Sequence, residues 1–213
     1  MAVLAAHNVV GNLWLPQWAY VPANLVVGAV LVGVAFRAGL GPAEVAGSRR
    51  ALGRGLLAGS ALGAAAGALL VIVATIPAAR DAFADDRVLG VGAAGLAYHV
   101  LVRIPLGTAL FEEVAFRGVL PALGKRITSP VRSHAAAACL FGLWHVIPAA
   151  SVASGNAAVG DLADGAVVAA AVAVTAAAGL GFAWLRERFG LGAPIVLHAA
   201  VNSAAFALAW SLR

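Results

Sequence analysis

Apolar residues fill long blocks of this chain, and polar residues gather between the blocks instead of alternating within them. Blocks over residues 19–36, 55–77, 88–124, 135–148, 166–185 and 193–211 read as helices surrounded by lipid, since about 20 mainly apolar residues cross a bilayer. The block at 88–124 is longer than one crossing needs. At 1.5 Å per residue its 37 residues extend about 55 Å, against about 30 Å of hydrocarbon. Pro105 lacks an amide donor and predicts a kink or break, with a spanning helix before it and a second helical piece after it. The expected fold is all-α: a polytopic transmembrane bundle of about six to seven helices, broken near Pro105, in one domain over residues 1–213.

Residues 1–18 are mixed, with Trp14 and Trp18 placed for an interfacial belt. No basic segment opens the chain, and Pro16 and Gln17 interrupt the first apolar stretch, so no cleavable signal peptide is expected. No internal repeat or low-complexity linker divides the sequence.

Composition agrees with the pattern. Hydrophobic residues make up 62% and charged residues only 11%, with a mean hydropathy of +0.95. One core of this size cannot hide that much apolar surface, which makes the lipid bilayer the first partner. Abundant Gly and Ala suit closely packed membrane helices, although a GC-rich genome yields the same bias. The single Cys139 rules out an internal disulfide and reads as a small packing residue.

Net charge is +5, yet the positive residues are dispersed between apolar spans, so they read as topology signals and no nucleic-acid partner is expected. Connections 37–54, 125–132 and 186–188 hold nine of the fourteen Lys and Arg residues, and the alternate connections hold three. The positive-inside rule then puts both termini outside and the basic connections in the cytoplasm of a multi-pass plasma-membrane protein.

Within this apolar chain, residues 108–121 carry Glu112, Glu113 and Arg117. Each charge costs about 2.5–3.5 kcal/mol or more at mid-bilayer, so the three must face protein or a wet cavity. Glu113 and Arg117 stand one helical turn apart and can neutralise each other. Glu112 points about 100° away around the helix and is left without a partner on its own segment. Two other segments carry polar groups at helical spacing, Phe141 with His145 and His198 with Asn202. Counted inward from the cytoplasmic ends, Glu112, His145, His198 and Asn202 lie about 18, 15, 8 and 13 Å deep, which permits one shared band.

Each has a plainer reading. A His or Asn in a membrane helix also serves as interhelical hydrogen-bonding glue. Charges lining an ion path would make the chain transporter-like, but that fold brings paired broken helices in two related halves, and only Pro105 marks a break. A non-catalytic scaffold is the remaining alternative. His7 and His134 fall in connections and read as solvated, and His99 lacks a strong polar partner on its segment. Arg103 reads as a structural counter-charge, and the Trp residues read mostly as interface or packing, with Trp144, beside His145, a candidate for lining the pocket.

Glu112-Glu113-Val-Ala-Phe-Arg117, Phe141-Gly-Leu-Trp-His145 and His198-Ala-Ala-Val-Asn202 resemble, in that order, the EExxxR, FxxxH and HxxxN motifs of the CPBP family. These are intramembrane proteases related to the type II CAAX prenyl endopeptidases, also called abortive-infection-like proteins. The resemblance covers residues 88–211, and the first two spans add little to it. It implies an endopeptidase in which Glu112 and His145 activate water and His198 and Asn202 stabilise the oxyanion. Glu113, Arg117 and Phe141 would support them. If a metal takes part, the resemblance implies zinc held by Glu112, His145 and His198, a metalloprotease version. The favoured reading needs no obligatory metal. The Ala/Gly-rich composition looks bacterial, where prenylated CAAX proteins are not expected, so the substrate expected is a membrane-bound protein or peptide.

Overall fold

In a computed structural model of the chain, which describes residues 1–80, 83, 85–155 and 164–213, the ordered elements are helices and no strand occurs among the described residues. Asp81 and Asp161, both in connections on the side with few Lys and Arg, lie outside the described residues. Helix α1 is Ala2–Leu13, α2 is Gln17–Arg37, α3 is the short Pro42–Ala46, and α4 is Arg49–Ala74. Helix α5 runs Ala93–Gly124 and is followed by α6 (Pro130–Trp144), α7 (Val146–Gly155), α8 (Asp164–Phe189) and α9 (Gly192–Leu212). Six stretches are long and apolar enough to cross a membrane, with α6 and α7 together making one of them. The chain is an integral membrane protein.

Several boundaries moved outward from the sequence expectation. Arg49, Arg50 and Arg54 belong to the first turns of α4 rather than to a loop. Ser48 caps that helix, its hydroxyl oxygen accepting from the Ala51 amide, so the polar start is helical despite its charge. Ser129 and Pro130 start α6 in the same way. Residues 1–18, mixed in composition, are helical over Ala2–Leu13. At Pro105 the interruption is a change of register instead of a gap. The helix continues, but over His99–Leu110 it adopts the wider π form, which gives the proline ring room and changes which side chains face inward.

Close approach of backbones sets the bundle. In α4, Gly55, Gly59 and Gly63 form a stripe against α9, and a β-carbon at Gly59 would stand 2.6 Å from the Ala193 carbonyl oxygen. In α6, Gly142 meets α8 as closely, where a β-carbon would reach within 2.6 Å of the Val172 carbonyl oxygen. Here the small residues do packing work, whatever genome bias lies behind them. Gly190, with φ at 84°, takes the left-handed conformation that turns the chain sharply from α8 into α9.

The three basic connections meet at one end of the bundle. Arg126 donates to the carbonyls of Ala38 and Gly39 at 2.6 and 2.8 Å, Lys125 pairs with Glu187 at 2.8 Å, and Arg186 donates to the Glu44 carbonyl. At the opposite end Arg213 and Trp210 donate to the Val91 carbonyl. His134, expected as solvated, is on α6 and pairs with Glu187 at 3.0 Å. Cys139, expected as a packing residue, is exposed.

Candidate active site

Helix α5 supplies the acidic core of the site. Glu112, Glu113 and Arg117 are 5%, 0% and 1% exposed, so none of them faces lipid. The ion pair expected from their spacing forms, with Arg117 Nη1 donating to Glu113 Oε1 at 3.1 Å. The same oxygen accepts from His198 Nδ1 at 2.8 Å, which ties α9 to α5. A carboxylate can only accept, so that nitrogen carries the proton and Nε2 points elsewhere. Nε2 stands 3.8 Å from Glu112 Oε2, longer than a hydrogen bond but short enough for one water to touch both.

Glu112 has a partner that spacing on its own helix did not reveal. Trp144 Nε1 donates to Glu112 Oε1 at 3.0 Å. Its other oxygen, Oε2, is buried without a hydrogen-bond partner, as are Glu113 Oε2 and Arg117 Nη2. Formal charges on Glu112, Glu113 and Arg117 sum to minus one, and protonation of His198 would bring the cluster to neutrality.

Phe141 is the hub that brings the second motif into the same place. The Arg117 guanidinium lies 3.8 Å from its ring centroid, a cation–π contact, and His145 meets the ring edge-on at 4.6 Å. His198 approaches it at 6.2 Å, so both imidazoles share one aromatic neighbour. His145 Nδ1 donates to the Phe141 carbonyl at 2.8 Å, which leaves Nε2 as the free acceptor of that ring. Asn202 is half-buried one turn from His198 and makes no hydrogen bond among the described residues. Glu112, Glu113, Arg117, Phe141 and His198 therefore form one cluster, His145 joins it through Phe141, and Asn202 stands one helical turn along α9 from His198.

Glu112, His145 and His198 do not converge as a metal-binding set. Among the described residues no three His, Cys, Asp or Glu side chains come close enough to hold an ion, so the donors present do not fit the zinc version.

Several contributors had no clear signal in the sequence. Phe182 of α8 lies against both Arg117 and His198, at 5.1 and 5.6 Å. From α2, Tyr20 hydrogen-bonds Thr108 at 3.2 Å, and Asn24 is buried beside it, so the first spans do contribute to the motif helix. His7 is half-buried rather than free in solvent. It bonds Asn24 at 2.6 Å and packs edge-on against Phe111 at 5.2 Å. Arg103 forms no ion pair among the described residues and stacks on Tyr20 at 4.0 Å. His99 stacks on Phe206 at 4.7 Å and bonds its own helix, a packing role.

A family model described as Type II CAAX prenyl endopeptidase Rce1-like matches residues 94–204. The chain belongs to that Rce1-like family. The match runs from the start of α5 to the middle of α9 and so contains all three polar segments. Searches of curated proteins and of solved structures gave no match. Membership of the Rce1-like family makes the chain a CAAX-protease-like endopeptidase embedded in the membrane.

Proposed function

We propose that the protein hydrolyses a peptide bond of a membrane-associated protein or peptide, through a glutamate-activated water and without a metal. The observation that carries this is a buried carboxylate oxygen, Glu112 Oε2, left unpartnered 3.8 Å from an imidazole nitrogen. Water at that position gives its proton to Glu112, and its oxygen attacks the carbonyl carbon. His145, with Nε2 free, shares the proton and returns it to the departing amine. Negative charge builds on the former carbonyl oxygen. Asn202 donates its amide N–H there, and His198 donates from Nε2 when protonated, with Nδ1 anchored on Glu113. Glu113 and Arg117 hold the framework.

The site opens toward the cytoplasmic side of the plasma membrane. Supporting this, Glu112 lies closer to the Gly124 end of α5 than to its Ala93 end, and the basic connections gather at the Gly124 end. The test is purified protein in nanodiscs with a quenched peptide library. Glu112→Gln and His145→Ala should each remove turnover by a factor of about 100 or more while the protein stays folded, and a chelator should leave the wild-type rate unchanged. Normal turnover by Glu112→Gln would reject the mechanism.

A further inference from the structure

We infer that Trp144 is a positioning residue for Glu112: its indole N–H holds Oε1 and leaves Oε2 as the oxygen that meets the attacking water. This rests on the hydrolytic reading above. A carboxylate on a flexible side chain can rotate either oxygen toward a substrate, so a fixed base needs one oxygen tethered. At Glu112 the tether is the 3.0 Å bond from Trp144 Nε1, a charge-assisted contact in a water-poor place. The free oxygen is the one that faces His198 Nε2.

Trp144 is itself held from several directions. Its ring packs at 5.7 Å on Phe111 and at 5.5 Å on Phe116, both from the motif helix. Its carbonyl, at the end of α6 where no intrahelical donor remains, accepts from Asn8 Nδ2 of α1 at 2.9 Å. The residue that follows is His145. One turn of chain therefore delivers both the proton-sharing imidazole and the donor that aims the carboxylate, and a shift of that turn would disturb both.

The experiment separates the hydrogen bond from the bulk of the ring. Trp144 is replaced site-specifically by benzothienylalanine, which has the shape of tryptophan but sulfur in place of the N–H. Peptide cleavage and thermal unfolding are measured in nanodiscs. The expected result is a fall in kcat of about 10- to 100-fold, with KM within about twofold and an unchanged unfolding midpoint. Trp144→Phe should behave alike in kcat. Unchanged kcat with the analogue would overturn the assignment, and so would a loss that tracks only a lowered unfolding midpoint. Glu112→Gln is run beside it: if that variant is inactive while the analogue turns over normally, the positioning role fails and the hydrolytic reading stands. If Glu112→Gln is active, the reading itself fails.

Discussion

Replacing Arg117 by Met leaves a carboxylate sealed inside the bundle. Glu113 is fully buried and Arg117 is 1% exposed, so water cannot take over when the guanidinium is removed. Breaking such a pair from one side costs about 3–5 kcal/mol. Two features move the figure within that range. Loss of the stack on Phe141 adds to the cost, by about 2 kcal/mol where water is excluded. Against that, His198 still reaches Glu113 Oε1 at 2.8 Å and offsets part of the stranded charge. The two corrections oppose each other and leave about 4 kcal/mol for Arg117→Met alone. Adding Glu113→Gln removes the charge that was stranded and keeps an oxygen for His198, so the double variant should regain most of the loss. Equilibrium unfolding of the wild type, both single variants and the double variant in mixed micelles gives the coupling directly. A cost below about 1 kcal/mol for Arg117→Met would place the pair with solvent-exposed ones and refute the buried-framework argument. A double variant no more stable than Arg117→Met would refute it equally.

Gly59→Leu should lower stability by about 1–3 kcal/mol and abolish cleavage, because its side chain must push α4 from α9, which carries His198. Gly53→Ala, earlier in the same helix with nothing within 4 Å, should be neutral or gain up to about 1 kcal/mol in the same unfolding assay. Glu187→Gln removes the shared partner of Lys125, His134 and Arg186 at an exposed end, and should cost no more than about 1 kcal/mol, an effect that shrinks further in high salt.

Apolar block length alone determined that this chain is a helical membrane protein, because lipid leaves the backbone no other way to satisfy its polar groups without closing a barrel. Spacing within a helix determined the Glu113–Arg117 pair, since residues four apart share a face regardless of what surrounds them. Motif order determined the family. The partners that cross between helices were settled only by tertiary packing. That Trp144 rather than a residue on α5 satisfies Glu112, that His198 anchors on Glu113, and that α1 closes against Trp144 all depend on helix rotation and approach. The glycine stripes and the π-form stretch around Pro105 set that rotation, and a hydropathy pattern carries no record of it. Arg103 shows the same limit, for a sequence counts its charge but cannot say that an aromatic ring, not an acid, will meet it.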